Sequence, residues 1–217
     1  GFVYLLLNQV IGKLSEEQQK VLETVYRNSE ELLELIDNVL WMTSLNAGDA
    51  NASVEKFDAR DLVKESVARH EKMIRDKGLQ LSVQFANGDL SMVNDRAKIE
   101  RVFQNIFNNS VKFTAEGEIT IKVGASADRA SMDFEIIDTG VGIEQNKIDT
   151  IFEPFHQADN SSRRAFSGLG IGLTVARRMA DLVGGRLSIT SSPNVGTRVH
   201  MSFPSQAVLA TQQRKYA

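Results

Sequence analysis

The chain has 217 residues, 42% hydrophobic and 24% charged, with a formal charge of −3, the balance of an ordinary globular protein with room for one large or two small domains. There is no basic excess to suggest a general nucleic-acid binder. There are also no cysteines, which removes disulfides and thiolate metal sites and fits a reducing compartment.

The opening GFVYLLLNQVIG is apolar but far short of the roughly 20 residues that span a bilayer, and it lacks the basic start and cleavage site of a signal peptide. It reads as the tail of a helix over Gly1–Ile11, turned by Gly12-Lys13. Ser15 followed by Gln18 predicts a capping box that opens a second helix. Along it Leu22, Val25, Ser29, Leu32, Ile36, Val39 and Thr43 follow a 3-4 spacing, widened by Leu33 and Leu40, with Glu23, Arg27, Glu30, Glu34 and Asp37 opposite. Two helices cannot cover so wide a stripe; either a second copy or the rest of this chain must. Residues 1–47 are thus a helical stalk, and 48–53, small and polar, a linker.

The pattern then changes. A strand is predicted at Val54–Phe57 and a helix at Ala59–Asp76, with Leu62, Val63, Val67 and Met73 on one side. Strands follow at LQLSVQF and LSMVN. Asp95 caps a helix to about Lys112, and EITIKVGA and SMDFEIID alternate as strands do. An irregular segment spans Gly140 to Gly168. A helix from about Gly170 to Val183 ends at Gly184-Gly185, and RLSITSS and GTRVHMSF pair across Pro193-Asn194. The interspersed elements predict a two-layer α/β sandwich over 54–204, and the polar tail 205–217 is expected to be loose.

Three stretches carry chemistry. On the helix after Asp95, the amides of Asn105 and Asn109 and the ammonium of Lys112 stack at i, i+4 and i+7. Amide oxygens suit Mg²⁺ and a lysine suits phosphate, although a solvated polar face would look alike. Asp138 ends an apolar strand, has no fixed partner nearby in sequence, and runs into Gly140 and Gly142. Such a carboxylate can accept from an exocyclic amine, and the glycines admit a flat base; an ordinary turn has the same composition. Gly168, Gly170 and Gly172 lead into a helix whose free N–H groups suit phosphate, without the lysine of a Walker loop. The segment before them bears Phe152, Phe155, Arg163 and Arg164, as a mobile lid would, or as a plain surface loop would. His70, His156 and His200 lie far apart, without metal-ligand spacing.

Together, in this order, FQNIFNNSVKFT, DTGVGI, IFEPFHQAD and GLGIGL resemble the N box, first glycine box, F box and second glycine box of sensor histidine kinases, within the superfamily shared with gyrase, the Hsp90 chaperones and MutL. Hybrid kinases are the nearest in pattern. LSEEQQKVLETVYRNSEELLELIDNVLWMTSLNAG resembles the second helix of the family's dimerisation domain. The resemblance implies a Bergerat-type fold that binds ATP and Mg²⁺. Asn109 would ligate the metal and Asn105 support it and the phosphates. Lys112 would meet phosphate and Phe113 lie near the nucleoside. Asp138 would bind the adenine amine beside Gly140 and Gly142. Phe152 and Phe155 would dock the lid, Arg163 or Arg164 reach the γ-phosphate, and Gly168, Gly170 and Gly172 wrap the phosphates. It further implies a homodimer through the stalk, a response-regulator receiver domain as partner, no nucleic acid, and a cytoplasmic catalytic part with any inner-membrane anchor upstream.

Two features depart from the family pattern. The histidine-acidic phosphoacceptor motif, which the family carries about a dozen residues before the position of Gly1, is absent, so these residues are not expected to autophosphorylate in cis. Either the sequence begins after the motif, or the parent is a degenerate kinase that regulates others by dimerising. In the lid, Ala165-Phe166-Ser167 replaces the usual small-residue run ending in Gly-Thr.

Overall fold

The structure, a computed structural model, describes residues 2–10, 12–46, 53–153 and 170–206. The chain divides into two compact units, Gly1–Ala47 and Gly48–Ala217.

The first unit holds α1 (Phe2–Leu7) and α2 (Glu16–Asn46). Gly12, at φ +131°, turns the chain between them. The capping box forms reciprocally: Gln18 N–H donates to Ser15 Oγ at 3.2 Å, and Ser15 N–H donates to Gln18 Oε1 at 2.9 Å. Two orphan donors of the helix start are thereby satisfied. The apolar stripe of α2 lies open, with Leu32 57%, Ile36 47% and Val39 46% exposed. No helix among the described residues is long and apolar enough to cross a membrane.

The second unit runs β1 (Val54–Asp58), α3 (Ala59–Asp76), β2 (Gln80–Phe85), β3 (Ser91–Asp95), α4 (Arg96–Phe113), β4 (Glu118–Ala125), β5 (Ser131–Asp138), a 3-10 turn at Gln145–Lys147, α5 (Gly172–Leu182), β6 (Arg186–Ser192) and β7 (Gly196–Pro204). A five-stranded sheet has the order β2-β4-β5-β7-β6, and β1 pairs with β3 in a separate two-stranded sheet. Only β2 and β4 run parallel; the other pairs of the large sheet are antiparallel. The alternation in β4, β5 and β7 sends Ile119, Ile121, Met132, Phe134, Ile136, Val199, Met201 and Phe203 to one face, all buried, as a period of two requires. α3, α4 and α5 cover that face. Their contribution to the core includes Leu62, Val63, Val102, Phe103, Ile106, Phe107, Val175 and Met179. Phe103 packs on Phe107 and edge-on to Phe134, which in turn meets Phe203. The opposite sheet face stays polar, with Lys122 and Arg198 each paired to Glu135.

The sandwich expected for 54–204 is therefore present, with two differences of detail. Met73 is 45% exposed, and Ser66 and Ile74 are buried on α3 instead. Continuing Leu62 at i+4 and then i+8 passes through Ser66 and His70 to Ile74, and a small hydroxyl on that track hid it. Ser205 and Gln206 are not loose. Val93 N–H donates to Ser205 O at 2.8 Å and Val93 bridges Gln206 in parallel, because the unpaired edge of β3 offers hydrogen bonds that a polar tail can fill. Of the linker only Ser53 is described, and its N–H donates to Asp95 Oδ2 at 3.0 Å.

Candidate functional site

α4 organises the site. Its start is fixed by Asp95, whose carboxylate accepts from Lys98 N–H at 3.0 Å and is ion-paired with the buried Lys98 ammonium. A cap of this kind fixes the helix phase, and the phase decides where every later side chain points.

Asn105 is 5% exposed and lies against the first residue of α5: a Cβ on Gly172 would stand 3.2 Å from Asn105 Oδ1. Its Nδ2 is buried and has no hydrogen-bond partner among the described residues, a state rare in folded proteins unless a ligand or water completes it. Gly170 has φ +67°, a left-handed turn suited to glycine. Ile171 at the helix start supplies no side-chain cap, and the first N–H groups of a helix, with its dipole, suit an anion.

One and a half turns further along α4 is Ser110. Its buried hydroxyl donates to Asp138 Oδ2 at 2.9 Å. Gly140 N–H and Thr197 N–H donate to Asp138 Oδ1 at 3.0 and 3.2 Å. The expectation of a carboxylate without a fixed partner is thus corrected. Residues brought from α4, the following loop and β7 hold it, because a buried carboxylate without donors would cost several kcal/mol. Burial raises its pKa above the usual carboxylate value, opposed by the hydrogen bonds from Gly140, Ser110 and Thr197 in that order. Oδ1 carries two donors and Oδ2 one, which leaves acceptor capacity on Oδ2.

The loop after Asp138 lies close to α4 and to the β6–β7 turn. A Cβ on Gly140 would come 2.7 Å from Phe113 O, and one on Gly142 (φ +69°) would overlap the Ser192 carbonyl. Val141 N–H donates to Phe113 O at 3.3 Å, and Asn194 N–H to Val141 O at 2.8 Å. The glycines are thus demanded by the protein's own backbone. Lys112 Nζ lies 5.6 Å from the centroid of the Phe113 ring, which is 38% exposed. Asn109 is half-buried between the two ends of the row.

Phe152 is tied to α5: Thr174 Oγ donates to Phe152 O at 2.8 Å, and the Arg177 guanidinium sits 5.0 Å from the ring centroid. Phe155, Arg163, Arg164 and Gly168 lie outside the described residues, as does His156. His70 rests edge-on against Phe107, and its Nδ1 lies 2.9 Å from Ser66 O; His200 faces Asp133 at 3.8 Å. Both are packing or surface residues away from α4's amide row. Ser110, Thr197, Thr174 and Arg177 were not singled out from the sequence. Ser110 had a signal, a helix-disfavouring hydroxyl inside a helix, while the others had none.

Comparison with known proteins gives the family and the fold. Residues 94–207 match the family described as histidine kinase-, DNA gyrase B-, and HSP90-like ATPase. The chain is 28% identical over 213 residues to the autoinducer 2 sensor kinase/phosphatase LuxQ of Vibrio cholerae, covering 93% of this chain and 25% of that protein. It is 29% identical over 212 residues to the circadian input-output histidine kinase CikA of Synechococcus elongatus, covering 96% of this chain and 28% of that one. The chain therefore spans about a quarter of the length of these relatives. The fold is shared with full-length ShkA, solved with AMPPNP, at TM-score 0.73 and 24% identity over 94% of this chain and 41% of that one. It is shared too with the Acinetobacter baumannii histidine kinase AdeS, at TM-score 0.69 and 18% identity over 94% of this chain and 93% of that one. The chain belongs to the histidine kinase-, DNA gyrase B- and HSP90-like ATPase family.

Proposed function

We propose that this chain is the ATP-binding catalytic part of a two-component sensor histidine kinase, which passes the γ-phosphate of Mg-ATP to a histidine outside these residues and then to a receiver-domain aspartate. The observation that carries this reading is the double anchoring of α4. One helix reaches the start of α5 through Asn105 and the buried Asp138 through Ser110. Those contacts start five residues apart, a rise of about 7.5 Å along the axis, so phosphate and base would be met from one rigid element.

The residues fit the nucleotide. The orphan Nδ2 of Asn105 is a donor awaiting an acceptor, which a phosphate oxygen supplies. Oδ2 of Asp138 retains room for the adenine amine. Lys112 would meet phosphate, Phe113 would flank the nucleoside, and Gly168, Gly170 and Gly172 would wrap the phosphates. Phe152 and Phe155 would dock the lid that carries Arg163 and Arg164. Asn109 would offer an amide oxygen to Mg²⁺, whose charge offsets that of the phosphates. Among the described residues no group of three or more His, Cys, Asp or Glu could hold a metal, so the ion would arrive with the nucleotide.

The exposed stripe on α2 supports a homodimer formed through the stalk. Calorimetric titration with a non-hydrolysable ATP analogue, with and without Mg²⁺, tests the proposal. Magnesium-dependent binding is expected; absence of binding in both conditions overturns it in favour of a nucleotide-free regulatory module.

A further inference from the structure

Lys77 stands at the end of α3, outside every motif of the site, yet its ammonium reaches into α4. Nζ donates to Val111 O at 2.6 Å, Lys112 O at 2.9 Å and Thr114 O at 3.1 Å. An ammonium has three N–H donors, and all are used on one turn of a neighbouring helix. We propose that Lys77 is a positioning residue for the nucleotide site, clamping the last turn of α4 so that Phe113 O is aimed at the loop after Asp138.

The last four C=O groups of a helix have no partner within it. In α4 they belong to Ser110, Val111, Lys112 and Phe113. Ser110 O accepts from Thr114 N–H at 3.1 Å, and Phe113 O from Val141 N–H at 3.3 Å. Val111 O and Lys112 O have Lys77, which also takes Thr114 O just past the helix end. The Phe113 carbonyl is thus bracketed on both sides by groups that one ammonium holds. It is also the atom against which Gly140 packs, with no space for a Cβ, and Gly140 N–H orients Asp138. From Lys77 to the base-reading carboxylate there are therefore only short, directional steps.

The lysine is itself held. Its backbone is the C-cap of α3, with its N–H bonded to Met73 O at 3.1 Å, and Gly78, whose N–H bonds to Arg75 O at 3.0 Å, follows in the left-handed region at φ +65°. Its cation also suits the negative end of the α4 dipole. Burial, and after it the Lys112 ammonium, hold its pKa below the usual lysine value.

The inference rests on the nucleotide reading above, and the test separates the two. The Mg²⁺ complex of a non-hydrolysable ATP analogue is titrated into the wild-type chain and into Lys77→Met and Lys77→Arg, and the Val141 and Gly140 amides are followed by NMR. Lys77→Met is expected to weaken binding about tenfold, as loss of hydrogen bonds to a charged group would, and to shift both amides without disturbing those of β5. Lys77→Arg, which keeps a cationic fork of donors, is expected to recover most of the affinity. Wild-type affinity in Lys77→Met, or no rescue by arginine, overturns the clamp. If Lys77→Met does not fold, Lys77→Gln, which keeps one donor arm, is read in its place. A wild-type chain that binds no analogue overturns the nucleotide reading, while the two amides still report whether Lys77 holds the loop.

Discussion

The Ser110 hydroxyl donates to Asp138 Oδ2 across 28 positions of sequence, at 2.9 Å in a buried setting. It couples the helix that bears the amide row to the strand end that bears the carboxylate. Asp138→Asn tests what that carboxylate is for. The asparagine oxygen can keep the N–H bonds from Gly140 and Thr197, and its amide can donate to Ser110, whose hydroxyl then acts as acceptor. The apo protein should keep or raise its thermal midpoint at neutral pH, because a buried charge is gone. Nucleotide affinity should fall by about 10- to 100-fold, the equivalent of about 1.5–3 kcal/mol for a hydrogen bond to a charged acceptor. Calorimetry and thermal melts on the same samples check both halves, and unchanged affinity would remove Asp138 from the base-binding role.

The same pair sets a pH dependence. Burial raises the Asp138 pKa from 3.8, so the native state holds that proton more tightly than the unfolded chain. Its contribution to stability is therefore fully present below the unfolded value and declines as pH rises through the raised native value. Ser110→Ala removes one of the donors that oppose the shift, so the decline should reach to higher pH; Asp138→Asn should lack it. Thermal midpoints recorded from about pH 3.5 to 7 decide this, since the titration window starts near the ordinary carboxylate value. Superimposable profiles for wild type and Ser110→Ala would contradict the assignment.

Gly142 offers a test of backbone fit. It sits at φ +69° with its missing Cβ directed into the Ser192 carbonyl, whereas Gly78 has a similar φ of +65° and nothing within 4 Å. Gly78→Ala should cost only the left-handed penalty of about 1–2 kcal/mol. Gly142→Ala should cost more by at least a further ~1 kcal/mol, because a backbone carbonyl must move. Denaturant unfolding of the two variants measures the difference. Equal costs would mean that the loop yields freely.

Much of this architecture was legible in the sequence. Helix α3, strand β5 and the Ser15–Gln18 capping box stand where local pattern puts them, since caps and two-residue alternation are local rules. The amide row on α4 was legible for the same reason. Three features were not: the partners of Asp138, the reach of Lys77 into α4, and the pairing of Ser205 with Val93. Apart from the Gly140 N–H, which is two residues from Asp138, each joins residues far apart in the chain, and no periodicity encodes such a contact. The sequence at Gly142 suits the approach of a flat base, yet its own backbone already requires glycine because of Ser192, a residue fifty positions away. A glycine's reason is visible only when its neighbour is.

The stalk makes a separate prediction. Val25, Leu32, Ile36 and Val39 lie on one stripe of α2 and are 43–57% exposed. A stripe of this kind is costly in water, at about 25 cal/mol per Å². Ile36→Asp should shift the chain from dimer to monomer in sedimentation experiments and leave the Gly48–Ala217 unit folded. A wild-type chain that sediments as a monomer at all concentrations would argue against self-association through this face.

Asn105 distinguishes a binding residue from a structural one most cleanly. Its Nδ2 is buried with no partner among the described residues, so in the apo protein it is a liability. Leaving a buried donor unmet costs about 1–3 kcal/mol, and replacing such a group by an apolar one of similar size is neutral or stabilising. Asn105→Leu should therefore keep or raise the apo thermal midpoint. The same change should abolish the magnesium-dependent part of analogue binding, because the buried donor of Asn105 is lost. A residue kept for packing alone would show the reverse, lower stability with affinity intact. That result would move the phosphate end of the site away from Asn105.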